Sequence, residues 1–346
     1  MNRSGSTPTP ANDPGRDGDT PHSRPPAGGS PTDSGTAPAS EGPRPGPVTA
    51  DRLETALQRL VGSTAAARRL AVGHRTGHLR LDAVWGLDHA HGGGFEAVAV
   101  LMRNAGRTAG VLLSPVRRAS EVAPAADLLR AMLADRRFDA DLAQAMLDPN
   151  RPFDREALVA GGFEPLAELR FMDRPLPGPA IADEPPATRS IRIECCGDAD
   201  PETLHDLLQA TYERTLDCPG LAGARRVEDV LEGHRAAGRF RPDLWRRLWV
   251  DDEPAGLSLL NPNPDAGCIE LVYFGLVATR RGEGLGGVLL RDALRAAAGV
   301  GLPRLSLAVD ERNLPALKLY RRHGFVPGAI RSALVKRLRD GSATAP

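Results

Sequence analysis

Residues 269–277 read Ile-Glu-Leu-Val-Tyr-Phe-Gly-Leu-Val and run through Ala278-Thr279 into Arg280-Arg281-Gly282-Glu283-Gly284-Leu285-Gly286-Gly287. An apolar helical stretch follows, then a strand ending Leu307-Ala308-Val309-Asp310, then Asn313-Leu314-Pro315-Ala316-Leu317-Lys318-Leu319-Tyr320-Arg321-Arg322-His323-Gly324-Phe325. The first run has the β-branched and aromatic content of a buried strand. A glycine-rich turn that opens a helix lets backbone amides approach a phosphate, and the helix N-terminus adds about half a positive charge. The later block sets a phenol, Tyr320, at a fixed distance downstream.

Two nucleotide-binding readings compete for this loop. Gly282-x-Gly284-x-x-Gly287 satisfies the dinucleotide spacing, and Asp310 ends a strand where a ribose-binding acid would stand. In that fold the first glycine ends the strand directly, whereas Ala278-Thr279-Arg280-Arg281 intervenes here. Too little chain remains after the loop for the further strand–helix units that fold requires. No Lys-Ser/Thr follows the glycines, so the Walker pattern fails.

Arg281-Gly282-Glu283-Gly284-Leu285-Gly286 matches the Arg/Gln-x-x-Gly-x-Gly/Ala signature, and Asn313, Ala316, Tyr320, Gly324 and Phe325 fill a second block, Asn-x-x-Ala-x-x-x-Tyr-x-x-x-Gly-Phe. On these motifs residues 190–338 resemble the GNAT superfamily of acetyl-CoA-dependent N-acetyltransferases. The resemblance implies acetyl-CoA as cosubstrate, held by Leu276, Val277, Arg281, Gly282, Glu283, Gly284, Leu285, Gly286 and Gly287, with Asn313 near the pantetheine arm. It implies that Tyr320 protonates the departing thiolate. A phenol of pKa ~10 is a feasible donor to a thiolate whose acid lies near ~8.5. It also implies that Glu270, placed like the general base of the histone-acetylating branch, takes the proton of the acceptor amine; a carboxylate that only binds the amine is the alternative. A lysine-like amine is neutral in only about one part in 10³ at pH 7, so some base is needed. Backbone N–H groups near Phe274–Leu276, on a strand that splays from its neighbour, would polarise the thioester carbonyl.

The acceptor side is expected in the segment from Tyr212 to Leu221 and around His234 and Trp245. Glu213 and Asp217 are candidates to bind a cationic acceptor, and His234 to titrate near neutrality; capping and surface charge are the plainer reading of these residues. Cys218 has no His–Asn pattern to make it a nucleophile. His89-x-His91 sits in a hairpin-turn sequence, and no residue spacing suggests a metal.

Composition narrows the partners. The 346 residues carry no formal net charge, which provides no global field for nucleic acid or an anionic membrane. No apolar run reaches the roughly 18 residues a membrane span needs, and the N-terminus lacks the apolar core of a secretory signal. The four cysteines, Cys195, Cys196, Cys218 and Cys268, show no paired spacing, so reduced thiols in a cytoplasm are expected.

Residues 1–48 contain no Ile, Leu, Phe, Trp or Tyr and are expected to form a disordered tail. An amphipathic helix begins at Leu53. Strands are expected at 79–85, 97–103, 110–113 and 166–172, and helices at 124–134 and 154–160. A proline-rich stretch, 176–189, reads as a linker. Beyond it come a strand at 190–194, a helix at 201–213, a helical pair within 227–237, and strands at 248–251 and 255–260. The halves echo one another. Arg117-Arg118 precedes Arg280-Arg281, and Gly162-Phe163 precedes Gly324-Phe325, by nearly the same offset, with Asn150-Arg151-Pro152 standing roughly where Asn313-Leu314-Pro315 stands. The first copy has Ala119-Ser120-Glu121 in place of the glycines and Leu158 in place of Tyr320.

These readings converge on an α/β (α+β) fold of two tandem GNAT-like domains, each with a mixed, mainly antiparallel central sheet flanked by helices. Residues 49–175 form the degenerate copy and 190–340 the catalytic one, an arrangement similar to mycothiol synthase-like tandem proteins. The expected activity is acetyl transfer to a primary amine of a small molecule or protein. Rival readings are a non-catalytic acyl-CoA sensor, a module whose first copy recruits a partner, and a dinucleotide-binding protein.

Overall fold

The computed structural model describes residues 43–90, 92–135, 137–178, 189–199 and 201–339. Most of the expected tail and linker, and His91 of the His-x-His turn, lie outside the described residues. The first half contains β1 (Gly46–Pro47), α1 (Leu53–Val61), α2 (Thr64–Arg75), β2 (Ala83–Asp88), β3 (Phe95–Asn104) and β4 (Thr108–Leu113). It continues with α3 (Val122–Leu133), β5 (Leu142–Leu147), α4 (Pro152–Ala160) and β6 (Glu164–Pro175). The second half repeats this order: β7 (Ile191–Cys195), α5 (Pro201–Tyr212), α6 (Val227–Ala236), β8 (Trp245–Val250), β9 (Glu253–Asn263) and β10 (Cys268–Leu276). Then follow α7 (Leu285–Ala298), β11 (Arg304–Asp310), α8 (Leu314–Arg322) and β12 (Val326–Arg337). From α3 and α7 onward the matched elements are displaced by about 162 residues, the offset already visible in the paired motifs.

The strands form one 12-stranded sheet in the order β1-β2-β3-β4-β5-β12-β6-β11-β10-β9-β8-β7. This order is palindromic. Each half contributes an antiparallel meander and one parallel pair, β4–β5 or β10–β11, and each half's last strand crosses to the other. Thus β12 pairs with β5, β6 pairs with β11, and β6 and β12 pair with each other at the centre. The sheet is mainly antiparallel, as expected, but it is shared rather than divided between two separate domains.

Helices cover both faces, which is why the inner strands read as nearly continuous apolar runs. On β3, Ala97, Ala99 and Leu101 pack toward α3 and α4, while Val98 and Val100 pack toward α1 and α2. In the second half Ile269, Leu271, Leu305 and Leu307 pack against α7 and α8, and Leu257 and Leu259 against α5 and α6. Helix α7 buries Leu285, Leu289, Leu290, Ala293, Leu294 and Ala297, a stripe at helical spacing. Each leucine so buried contributes about 1.5–3 kcal/mol.

Several local expectations are corrected. Helix α2 escapes the periodicity argument because its buried face consists of Ala67 and Ala71; Ser63 caps it by accepting from the Ala66 amide at 3.3 Å. Residues 79–82 are not part of β2, since the Leu79 and Leu81 amides donate to the Gly73 carbonyl and His74 Nδ1. The stretch 227–237 contains one helix, α6, rather than a pair. Gly46 and Pro47, inside the expected tail, pair with Gly86 and Trp85. Among the described residues no helix is long and apolar enough to cross a membrane.

Candidate active site

The site begins where two strands part. Strands β10 and β11 pair only at Ile269–Leu305 and Glu270–Ser306. A register shift between Leu271 and Tyr273 bends β10, and from Leu271 to Leu276 its β11-facing edge has no strand partner among the described residues. Glu270 therefore occupies the last rung before the fork. Its Oε1 accepts from Asn263 Nδ2 at 2.7 Å, leaving Oε2 for another group.

The strand leads into the glycine loop. Gly282 and Gly284 have φ of 85° and 80°, a region that strains any residue with a Cβ. Gly284 is the N-cap of α7 and contributes no side chain. At Gly286 an added Cβ would approach Leu319 Cδ2 to 3.3 Å, so glycine also lets α7 lie close to α8. The Gly287 amide donates to the Gly284 carbonyl at 3.0 Å, which narrows the candidate phosphate donors to the amides of 282–286. The Val277 amide likewise donates to the Ala255 carbonyl at 2.9 Å.

The charged residues of the loop are directed toward the protein. Arg281 Nε donates to the Leu276 carbonyl at 3.1 Å, Nη1 to the Arg214 carbonyl at 2.8 Å and Nη2 to the Thr211 carbonyl at 2.8 Å. The guanidinium thus clamps the C-terminal end of α5, where exposed carbonyls favour a cation, onto the end of β10. Arg280 pairs with Glu253 at 2.9 Å, and Glu283 with Arg189 at 2.6 Å. The motif arginine was expected to bring charge to the phosphate; here it orders the loop, and the backbone is left as the anion-binding surface.

Tyr320 lies on α8, which Asn313 caps by accepting from the Ala316 amide at 3.3 Å. Only 6% of Tyr320 is exposed, and its ring packs edge-on against Phe274 of β10 at 6.2 Å and against Phe325 at 5.5 Å. Burial, with the nearby Asp217 carboxylate, pushes its phenol well above the ordinary value. The hydroxyl therefore keeps its proton at neutral pH. Phe325 is a core residue.

The loop 213–226 is anchored at the end of β11. Asp217 Oδ1 accepts from the Asp310 amide at 2.8 Å, and Asp310 Oδ2 accepts from the Cys218 amide at 3.3 Å. Asp310 is fully buried and also receives the Arg312 guanidinium at 2.7 Å. It is a structural anchor, not a ribose ligand. Asp217 keeps an accessible edge, yet the surrounding protein and the Asp310 charge push its carboxyl upward. Burial pushes the Cys218 thiol up to about 12, which removes it as a nucleophile at neutral pH. Glu213 is exposed.

Of the chain's three tyrosines, Tyr212 and Tyr273 meet here. The Tyr273 and Thr211 hydroxyls are 2.6 Å apart, and the Tyr212 and His234 rings lie 5.6 and 5.4 Å from the Tyr273 ring. Tyr212 opens the segment expected to form the acceptor side, whereas Tyr273 is a site residue that the motifs did not reveal. Burial, then the Arg225 charge, pushes His234 down to about 4, so it does not titrate near neutrality as expected. Trp245 is fully buried and donates its indole N–H to Asn261 Oδ1 at 2.9 Å, a core contact rather than a pocket wall. No cluster of metal-ligating side chains occurs among the described residues.

Comparison with known proteins bears on the same stretch. Residues 203–325 match the model of the acetyltransferase (GNAT) family. A mycothiol acetyltransferase from Parafrankia sp. (strain EAN1pec) is 30% identical over 198 residues, 53% of this chain and 59% of that protein. One from Thermobifida fusca (strain YX) is 36% identical over 123 residues, 36% of this chain and 33% of that protein. The chain therefore spans less than two thirds of the length of these curated relatives. A GCN5-related N-acetyltransferase from Sphaerobacter thermophilus superposes with a TM-score of 0.55 at 19% identity, covering 86% of this chain and 96% of that one, a likeness of fold. The family match runs from α5 to the end of α8, the span that holds both the fork and the glycine loop, so this is the part of the chain that is similar to GNAT acetyltransferases.

Proposed function

We propose that the second half binds acetyl-CoA and transfers its acetyl group directly to a primary amine, while the first half is a non-catalytic support. The observation that carries this reading is the fork between β10 and β11, with Glu270 at its base and Tyr320 packed on its β10 arm. The pyrophosphate would take the amides of 282–286 at the start of α7. The pantetheine arm would add to the unpaired edge of β10 as an extra strand, near Asn313. Backbone N–H groups near Phe274–Leu276 would polarise the thioester carbonyl.

The amine nitrogen then attacks the carbonyl carbon, and its proton passes to Glu270. Collapse of the tetrahedral species breaks the C–S bond, and the sulfur takes the proton of Tyr320. Burial ensures that the phenol arrives at this step protonated. Glu213 and Asp217 are the candidates for holding the ammonium form of the acceptor. His234, neutral at physiological pH, acts as a hydrogen-bonding group rather than a charge. The names of the curated relatives suggest small-molecule acceptors ahead of protein amines. Four free cysteines and an acetyl-CoA donor fit a cytoplasmic setting.

Thiol release from acetyl-CoA, measured across a panel of primary amines, tests the proposal. Amine-dependent release that falls in both Glu270→Gln and Tyr320→Phe is expected. Binding of acetyl-CoA without turnover on any amine would favour the sensor reading instead.

A further inference from the structure

The loop of residues 213–226 has no counterpart in the first half, where residues 62–63 alone join α1 to α2. Insertions on a repeated scaffold are where specificity is built. This one ends in Arg225, immediately before Arg226, the N-cap of the ten-residue helix α6. Among the described residues the Arg225 guanidinium donates no hydrogen bond and forms no ion pair; its charged or polar neighbours are Tyr212, Asp229 and His234. Its Nη1 lies 3.8 Å from the position a Cβ would take at Gly233, which places it along the side of α6. His234 Nε2, in the same cluster, is buried and has no hydrogen-bond partner. The unpaired Arg225 guanidinium and the buried, unpartnered His234 Nε2 thus lie in one cluster along the side of α6. A buried polar nitrogen is costly to leave unsatisfied, and an oxyanion bound by the half-buried guanidinium would also accept from Nε2–H of the His234 ring.

We propose, resting on the acetyl-transfer reading above, that Arg225 with His234 and Tyr212 forms a subsite for an oxyanion carried by the acceptor. The acceptor is then an amine that also bears a carboxylate or phosphate. Tyr212 lies within the electrostatic reach of both Arg225 and Asp217, so the cluster has a cationic end and an anionic end. A zwitterionic acceptor would lie with its acid group on Arg225 and its ammonium toward Asp217. The first half buttresses this subsite. At Gly106 an added Cβ would come within 1.9 Å of the Asp229 carbonyl, so the β3–β4 hairpin rests on the backbone of α6.

Matched acceptors test the subsite: β-alanine against β-alaninamide, and phosphoethanolamine against ethanolamine. They are assayed by thiol release and, separately, by calorimetric binding to protein saturated with acetyl-CoA. At least one anionic member is expected to exceed its neutral partner by about tenfold or more in kcat/KM, the effect of one charged hydrogen-bonded contact. Arg225→Gln should abolish the preference through KM, and Arg225→Lys should restore part of it, with acetyl-CoA affinity and thermal melting confirming that both variants fold. Equal use of neutral and anionic amines, or a preference that survives in Arg225→Gln, overturns the proposal. Should no amine be acetylated, the transfer reading fails by itself, and calorimetry still decides the subsite: anion-selective binding that needs Arg225 supports it, and unselective or absent binding refutes it.

Discussion

The two halves follow the same path through ten elements each, yet at matched positions their side chains do different work. Glu270 stands on the last rung before the β10–β11 fork, and on the corresponding rung of β4 and β5 Gly110 faces Gln144. Gly284 caps α7 with open space around it, whereas Glu121 caps α3, and its carboxylate accepts from the Arg117 amide at 2.9 Å and pairs with Arg118 at 3.0 Å. The amide of Val116, in the same first-half loop, is taken at 2.7 Å by the buried carboxylate of Asp154. The first half thus places its own carboxylates in the loop that corresponds to the second half's glycine loop. Leu158, fully buried, replaces Tyr320, and Arg151 replaces Asn313 as the N-cap. Tertiary structure in this fold needs an apolar pattern that both halves keep; chemistry needs a few polar residues that one half retains.

The contrast can be broken from the architectural side first. Because β6 lies between β12 and β11, a fragment of residues 190–340 exposes unpaired edges at the centre of the sheet. Expressed alone it should show no activity and little soluble material, whereas protease nicking within 179–188 should leave both pieces associated on a sizing column. An active, monomeric 190–340 fragment would argue that the halves are independent.

Making the second loop resemble the first is the next largest change. Gly284→Glu forces a side chain onto a left-handed backbone and puts a carboxylate where the pyrophosphate would sit. Acetyl-CoA affinity should fall about 100-fold or more by calorimetry. Tyr320→Phe should lower kcat about 10²-fold while acetyl-CoA affinity stays within about twofold, because only the proton donor is removed. Glu270→Gln should reduce the rate at neutral pH about tenfold or more, and the deficit should shrink as pH rises and the acceptor amine deprotonates unaided. The reciprocal change in the first half, Glu121→Gly, should leave turnover within about twofold, since its effects stay local.

Much of the second half was legible in its sequence because its motifs couple residue type to backbone geometry. Glycines at 282 and 284 announce positive φ, and Asn313 three residues before Ala316 announces a capped helix. The repeat was legible from two short matches because the displacement between the halves hardly changes from α3 onward. What sequence concealed was long-range. Nothing local in 164–175 or 326–337 says that these strands exchange places across the sheet. Arg281 reads as a phosphate ligand by position, and only the fold brings the carbonyls of Thr211, Arg214 and Leu276 within its reach. Tyr273 reads as one more strand residue until α5 and α6 fold over it. His234 reads as a titrating group until burial and Arg225 hold it neutral.

The most direct test is the stoichiometry of acetyl-CoA binding to the full chain by isothermal titration calorimetry. The account predicts one site per chain, lost in Gly284→Glu and unchanged in Glu121→Gly. No binding, two equivalent sites, or a single site that survives Gly284→Glu would contradict it.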